Sequence, residues 1–87
     1  MFSPITIKEV KVKIGNWIKV MRKNQNLSQD QLAEALNMSR ITIQNLESGK
    51  NITLDTLLKV LQHFDTLEKF NLFIEEQSKN NHYDSLY

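Results

Sequence analysis

The stretch 27–50 contains two helix starts, a short turn and a helix stop within 24 residues. Ser28, followed three residues later by Gln31, forms a capping-box pattern in which each side chain satisfies a free backbone N–H of the other residue. A helix is therefore predicted to begin after Ser28. Asn37 tolerates a left-handed backbone and offers a turn, and Ser39 can cap the next helix. The stretch predicts two short helices joined by a tight turn.

The second of these helices separates apolar from polar positions. Ile43 and Leu46 lie one turn apart and are expected in the core with Leu32, Ala33 and Leu36 of the preceding helix. Gly49 supplies the C-terminal stop. The remaining positions carry side chains that can hydrogen-bond base edges or phosphates: Arg40, Thr42, Gln44 and Asn45. This layout is typical of a helix-turn-helix that reads DNA.

Residues 18–63 resemble the helix-turn-helix of the Cro/CI-type (XRE) family. The chain departs from that family at Asn37, where glycine is usual, and in having no proline after Lys50. The segment that follows, 51–61, looks more like the HipB-like antitoxin branch. The resemblance is carried by Arg22, Leu27, Ser28, Gln29, Leu32, Ala33, Ser39, Ile43, Glu47, Gly49, Lys50, Thr53, Leu54, Leu57 and Leu58.

The resemblance implies an all-α, five-helix, lambda-repressor-like domain whose helices 2 and 3 form the helix-turn-helix. It implies a sequence-specific transcriptional regulator that binds double-stranded DNA, acting as a repressor and as a homodimer on a pseudo-palindromic operator. The HipB-like likeness implies a second role, as an antitoxin that binds a kinase-like toxin protein. The alternative from another class is a helical protein-interaction module that does not read DNA.

Composition limits the other functions. A chain of 87 residues forms one domain, and without cysteine it has no disulfide and no thiolate ligand. Neither histidine has a ligand-spaced partner, so no metal site is expected. No glycine-rich phosphate loop or catalytic constellation is present, so neither an enzyme nor a cofactor is expected. No long apolar run or leader appears, and a cytoplasmic location is expected.

Charge is distributed unevenly along the chain. Residues 1–50 hold eight Lys or Arg against four acidic residues, whereas residues 51–87 hold three lysines against six acidic residues. The positive half contains the helix-turn-helix, as binding to DNA phosphates requires. On its own, the same asymmetry would also fit charged residues that solvate exposed helix faces.

The rest of the chain also predicts helices. Thr6 and Glu9 predict a cap for a first helix that ends near Asn24, with Ile7, Val10, Ile14, Trp17, Ile18 and Met21 on one face. Within this helix, Gly15 either permits a close helix approach or marks a break.

Two more helices are predicted after the helix-turn-helix. The fourth covers 54–63, is capped by Thr53 and turns Leu54, Leu57, Leu58 and Leu61 inward. The fifth is capped by Asp65 and ends near Gln77. A domain over 1–77 and a flexible tail over 78–87 follow from this.

Five residues of helix 3 are predicted to read bases: Arg40, Ile41, Thr42, Gln44 and Asn45. Arg40 can grip guanine through two hydrogen bonds, or it can clamp a phosphate. Gln44 and Asn45 can each pair with adenine, although one of them can face the sugar-phosphate backbone instead. Ile41 meets either a thymine methyl group or a neighbouring helix.

Five further residues are predicted to hold phosphates: Gln29, Ser39, Ser48, Lys50 and Asn51. In the resembling family the start of helix 2 holds a backbone phosphate and the loop after helix 3 lies along the backbone; a solvated side chain is the alternative for Gln29. Lys19 and Lys23 either touch phosphates or are solvated. The family also implies a structural ion pair between Arg22 and Glu47, or a phosphate contact from Arg22.

A single module reads few base pairs, so a dimer is expected to place two reading helices about one DNA turn apart. The last helix carries more apolar side chains than one side of a small core needs. The predicted dimer interface consists of Trp17, Leu67, Phe70, Phe73 and Ile74, with Leu72 nearby. The alternative is that the apolar residues of the last helix all pack inside one subunit, with Trp17 in the core.

Overall fold

The structure, a computed structural model, describes the backbone of residues 4–86 and the side chains of residues 4–79. The described residues form five helices, α1 (Ile7–Asn24), α2 (Gln29–Ala35), α3 (Arg40–Glu47), α4 (Leu54–His63) and α5 (Leu67–Leu86), and no strand. This confirms the predicted all-α, five-helix fold with α2 and α3 as the helix-turn-helix.

Each of the first four helices begins at a hydroxyl side chain. Thr6, Ser28, Ser39 and Thr53 each accept a hydrogen bond from the backbone N–H three residues later, and at α1 and α2 the full capping box is present. These bonds satisfy donors that have no partner within the helix. The four starts are therefore where the sequence predicted them.

The same four helices end alike. Asn26, Asn37, Gly49 and Asp65 each have a left-handed φ, between 57° and 76°, two residues beyond the last helical residue. In each case the next backbone N–H bonds to the carbonyl oxygen five residues earlier, as in Met38 to Ala33 at 2.8 Å. This pair of features defines a Schellman motif, which satisfies carbonyl groups at the helix end.

The predicted start of α5 is wrong in detail. Asp65 does not cap this helix, because it supplies the left-handed turn that ends α4. Thr66 directly precedes α5, and its hydroxyl donates to the carbonyl oxygen of Leu61 at 3.0 Å. The connection is so short that the residue chosen as the cap is needed to terminate the previous helix.

The predicted end of α5 is also wrong. The helix does not stop near Gln77 but continues to Leu86. The side chains of residues 80–87 lie outside the described residues, so the flexible tail over 78–87 stays a prediction.

The core is formed by α1 to α4. Ile18, Leu32, Ala33, Ile43, Leu46, Val60 and Phe64 are buried and in mutual contact, with Ile14, Met21, Leu27, Leu36, Met38, Ile52 and Leu57 packed against them. The core positions predicted on α2 and α3 are confirmed. On α4, Leu54 is 66% exposed rather than inward, while Val60 is fully buried. The residues of α4 that face the core thus lie mainly in its C-terminal half.

The first two turns of α1 lie outside this core. Ile7 is 76% exposed and Val10 is also exposed, although both share the predicted apolar face of the helix. Further along this face Ile14 and Met21 are half-buried and Ile18 is fully buried, but Trp17 is exposed, so the alternative that placed Trp17 in the core is wrong. Helical spacing identified the correct side of α1, but no other element extends far enough to cover its beginning.

Gly15 marks a close approach between helices and not a break, because α1 is continuous through it. A Cβ atom at this position would lie 2.5 Å from the carbonyl oxygen of Glu47 and 2.7 Å from that of Leu46. Only a residue without a side chain allows α1 to pass so near the end of α3.

Replacing Gly15→Ala is expected to destabilise the fold. Alanine adds about 1 kcal/mol of helix propensity, but overpacking against a backbone costs about 1–3 kcal/mol, and carbonyl groups of α3 cannot rotate away as a side chain would. Urea unfolding should therefore show a lower midpoint. Asn16→Ala, at an exposed site on the same helix, should raise the midpoint slightly; equal behaviour of the two variants would contradict the close approach.

Candidate nucleic-acid interface

The α3 helix presents one buried face and one exposed face. Ile43, Leu46 and Glu47 point into the fold. At 3.6 residues per turn, the opposite side carries Ile41 at its centre, with Gln44, Asn45 and Ser48 around it and Arg40 and Thr42 at its borders. All five residues predicted to read bases lie on this side or at its borders. Four of them are polar, and the fifth is the apolar Ile41. The helix thus presents hydrogen-bonding groups around the exposed Ile41, with Arg40, Gln44 and Ser48 exposed and Thr42 and Asn45 half-buried.

Arg40 stands at the first position of α3 and reaches toward α2. Its Nε lies 3.7 Å from Oδ1 of Asp30, and both side chains are more than half exposed. A solvent-exposed pair at this distance contributes about 0–1 kcal/mol at most. Arg40 can therefore leave Asp30 for a stronger partner at little cost.

Ile41 is 64% exposed and is not among the hydrophobic side chains that pack against the core. Its contact with a thymine methyl group or with a neighbouring helix stays a prediction. Gln44 is exposed and Asn45 is half-buried, and neither side chain has a hydrogen-bond partner within the described residues. Both amides are available to a ligand.

The hydroxyl groups at the two ends of α3 are already bonded. Ser39 Oγ accepts from the Thr42 backbone N–H at 3.2 Å and lies 3.0 Å from Thr42 Oγ1. Ser48 Oγ donates to the carbonyl oxygens of Gln44 at 2.8 Å and Asn45 at 3.2 Å. These bonds fix the ends of the helix. The Ser48 hydroxyl proton is used within it, whereas either hydroxyl can be the donor between Ser39 and Thr42.

A buried network joins α3 to α1 and α2. Arg22 donates from Nε to Oε2 of Glu47 at 2.6 Å and from Nη2 to Oε1 at 3.0 Å. Its Nη1 donates to the Leu27 carbonyl oxygen at 2.7 Å. The side chains of Arg22 and Glu47 are only 8% and 4% exposed. The structure therefore brings these two residues together as the expected ion pair, and Arg22 has no exposed face for a phosphate.

Gln29 completes this network. Its Nε2 donates to Glu47 Oε1 at 3.1 Å, so the same carboxylate oxygen accepts from α1 and from α2. One amide N–H of Gln29 is thereby committed inside the fold, which leaves one for a phosphate. The sequence predicted Gln29 only as a phosphate ligand or a solvated residue, and its bond to Glu47 was missed.

The network controls the protonation of Glu47. Burial alone raises the pKa of this carboxyl, but hydrogen bonds from Arg22 and Gln29, with the charges of Arg22 and Lys19, outweigh burial and lower it below the ordinary value of 4.5. The hydrogen bond to Glu47 likewise raises the pKa of Arg22, against the effect of burial. Both groups are therefore charged at neutral pH.

The loop after α3 is tied to the beginning of α1. Lys11 Nζ donates to Oδ1 of Asn51 at 2.7 Å, and the Cα of Val12 lies 3.1 Å from where a Cβ of Gly49 would be. Because the amide oxygen of Asn51 accepts from Lys11, its NH₂ group remains a donor. Lys50 is exposed and has no partner within the described residues.

Two contacts at this surface were missed by sequence analysis. Lys11 and Asn51 are 40 positions apart, and no local pattern relates them. Asp30 and Arg40 belong to different helices, whose angle sets their distance. Charge distribution is the only sequence signal that could have suggested Lys11, because it belongs to the cationic half of the chain.

No metal-ligand cluster occurs among the side chains described. None of the helices in the described part of the chain has the combination of length and hydropathy needed to cross a bilayer.

Short α2, a tight turn and an α3 with a polar exposed face define a helix-turn-helix protein of the DNA-binding class. The family model described as helix-turn-helix (HTH_3) matches residues 18–70, which is more than half of the chain. The chain therefore belongs to this XRE-type helix-turn-helix family of DNA-binding regulators, which are generally not enzymes. No curated protein matches the chain significantly.

Acid should weaken the fold through Glu47. The pKa of Glu47 is lower in the folded state than in the unfolded state. The ionised carboxylate therefore contributes fully to the free energy of unfolding above the unfolded-state pKa of about 4.3, and this contribution is lost as the pH falls through the folded-state pKa. Glu47→Gln leaves Arg22 buried without a counter-charge, which typically costs about 3–5 kcal/mol.

Urea unfolding of both proteins between pH 7 and pH 3 tests this expectation. The difference in free energy of unfolding between wild type and Glu47→Gln should be largest near neutrality and should shrink below about pH 4.5. Glu34→Gln, which removes an exposed carboxyl on α2, should stay close to wild type. If the difference in free energy of unfolding between wild type and Glu47→Gln stayed constant with pH, the depressed pKa of Glu47 would be contradicted.

Proposed function

We propose that this DNA-binding regulator is a sequence-specific repressor that acts as a homodimer on a pseudo-palindromic operator. The observation that carries the proposal is the exposed side of α3, where Gln44 and Asn45 have unpartnered amides and Arg40 has only a weak partner. A helix surface with free, directional donors and acceptors suits the edges of base pairs in the major groove.

The proposed base contacts follow from the chemistry of these side chains. Arg40 donates two hydrogen bonds to O6 and N7 of guanine once it leaves Asp30. Gln44 and Asn45 pair with adenine through their amides, and Ile41 covers a thymine methyl group. Thr42 borders the same side and its hydroxyl, bonded to Ser39, takes the outermost base contact.

The proposed phosphate contacts surround α3. Lys50 supplies a free ammonium group and Asn51 a free NH₂ group, both in the loop after α3. Gln29 contributes its remaining N–H. Ser39 contributes its hydroxyl, which shares one hydrogen bond with Thr42. Ser48, whose hydroxyl proton is used within the helix, contributes as an acceptor to bound water.

A second copy of the chain is the proposed partner of α5. Leu72, Phe73 and Ile74 are exposed, so the alternative that all apolar residues of this helix pack inside one subunit is wrong for them; Leu67 and Phe70 are half-buried. The radius of gyration is 15.3 Å, against about 12 Å for a compact chain of this length, because α5 projects from the body.

The α5 helix also borders a groove that a partner helix can enter. This groove of about 910 Å³ lies between α4 and α5 and is lined by Leu54, Leu58, Leu67, Phe70 and Ile74 among others. A two-fold pair of α5 helices would fill each groove with the apolar side chains of the other copy. Trp17, 41% exposed on α1, is proposed at the edge of the same interface.

A dimer on its operator represses by occupying successive major grooves at a promoter and excluding polymerase. Neutralisation of a kinase-like toxin is the second candidate. It rests on the HipB-like likeness of the segment after α3, and the open α4–α5 groove favours it as a protein-binding surface. Rescue of growth upon co-expression with a toxin encoded beside the protein would support that role; unchanged toxicity would count against it.

Selection of bound duplexes from a random DNA pool at about 100 mM salt tests DNA reading. The expected result is an inverted repeat with half-sites about 10 bp apart. Arg40→Ala should then weaken binding about 10- to 100-fold on the selected duplex, equivalent to about 1–3 kcal/mol, and relax the preference at one position. Recovery of no sequence by folded protein would favour the interaction-module alternative.

The control for Arg40→Ala is Asp30→Asn. This variant removes the competing partner of Arg40 and one negative charge near the DNA, so it should bind the selected duplex as tightly as wild type or more tightly. If Arg40→Ala instead had the affinity and preference of wild type, Arg40 would not read a base.

Phe73→Lys tests the dimer. Forming the dimer would remove the charge of a lysine at the centre of the exposed apolar segment of α5 from water, which is unfavourable. Sedimentation equilibrium should therefore show the mass of one 10.2 kDa chain instead of two. Glu75→Lys, about 160° away around α5, should remain dimeric. A monomeric wild type, or a dimeric Phe73→Lys, would contradict this interface.

A further inference from the structure

We infer that the first turns of α1 form, with Lys50, a binding site for the DNA phosphate backbone in which Lys8 and Lys11 are the added ligands. The inference rests on the proposed DNA-binding function and extends it to a part of the chain outside the family match. That match begins at residue 18, whereas α1 begins at Ile7.

These first turns contribute little to the core. Ile7 and Val10 are exposed, and the buried residues of α1 all lie further along the helix, at Gly15, Ile18 and Arg22. Even so, the turns are well formed, with a complete capping box between Thr6 and Glu9. A capped helix extension that leaves most of its side chains exposed presents a surface for contacts outside the core.

That surface faces the loop after α3. A concave region of about 600 Å³ is lined by Ile7, Lys8, Lys11, Gly49, Lys50 and Asn51. The close packing of Gly49 on Val12 and the 2.7 Å bond from Lys11 to Asn51 hold the two sides together. The three lysines thus meet around one depression, and two come from α1.

Among the described residues, no carboxylate lines this depression. Glu9 is the only acidic residue between residues 4 and 29, and it is turned back to Thr6, with its Oε1 3.2 Å from the Thr6 backbone N. Lys11 is paired with a neutral amide instead of an acid. Three ammonium groups without a counter-charge repel one another until an anion is bound.

The position of the depression identifies the anion. It adjoins the loop at the C-terminal end of α3, next to the surface proposed to read bases. When α3 lies in a major groove, the groove is bordered by phosphates, so this basic surface meets the phosphodiester backbone beside the base pairs that α3 reads. Lys11 also holds Asn51 so that its NH₂ group remains free for the same backbone.

The test measures the salt dependence of DNA binding by Lys8→Gln, Lys11→Gln and the double variant, with Lys13→Gln as the matched control. Lys13 is exposed on the same helix and does not line the depression. The probes are the duplex recovered by random selection and a mixed-sequence duplex of equal length, and circular dichroism checks that each variant is folded.

Each substitution at Lys8 or Lys11 should reduce the slope of log K against log[salt] by about 0.9 and weaken both duplexes by a similar factor of about 3 to 10 at low salt. Lys13→Gln should leave the slope unchanged. Equal slopes for wild type and the folded double variant would overturn the inference while the DNA-binding function stands. If wild type bound neither duplex, the proposed function itself would fail, and the inference with it.

A phosphate substitution locates the contact. Single backbone phosphates of the selected duplex are replaced by neutral methylphosphonates. At one position this replacement should weaken binding of wild type but should not further weaken binding of the double variant, which already lacks the contact. Additive losses at every position would show that Lys8 and Lys11 act without contacting the backbone, and would overturn the inference.

Discussion

The buried carboxylate of Glu47 determines how α3 sits in the molecule. It accepts from Arg22 on α1 and from Gln29 on α2, so three helices meet at one charged group whose side chain is 4% exposed. An unpartnered charge would be costly in that environment, so the bonds to Arg22 and Gln29 favour the arrangement in which the three helices meet there. The close approach of α1 at Gly15, directly against the carbonyl oxygens of Leu46 and Glu47, reinforces this arrangement from the backbone.

This fixed attachment gives the exposed side of α3 a defined orientation. Both ends of the helix are also tied, at Ser39 through Thr42 and at Gly49 through the Schellman motif. Side chains that read base edges act through hydrogen bonds of narrow geometry, so a reading helix gains specificity when its backbone is held in place. The hydrogen-bond donors of Gln44 and Arg40 lie on the solvent-exposed side, where water can satisfy them. Exchanging this water for a base therefore costs little free energy.

The parts of the structure that sequence could predict are those governed by local rules. Helix starts at Thr6, Ser28, Ser39 and Thr53 and turns at Asn37 and Gly49 depend on residues within three or four positions, and all six were predicted correctly. The misplaced features have two causes. The burial of Leu54 depends on which distant elements cover it, and it is exposed. Asp65 is not a cap because two local signals compete for this residue and it ends α4. At the candidate site, the residue types of α3 and the pair of Arg22 and Glu47 followed from spacing and resemblance. The contacts of Lys11 with Asn51 and of Arg40 with Asp30 required the angles between helices.

An NMR titration of isotope-labelled protein with the selected duplex tests the central claim, that the outer side of α3 together with the adjoining start of α1 meets DNA. We expect the largest chemical-shift changes at Arg40, Ile41, Gln44 and Asn45, with further changes at Lys8, Lys11 and Lys50 and little change along α5. Shift changes concentrated on α5 and the α4–α5 groove, with α3 unaffected, would contradict it.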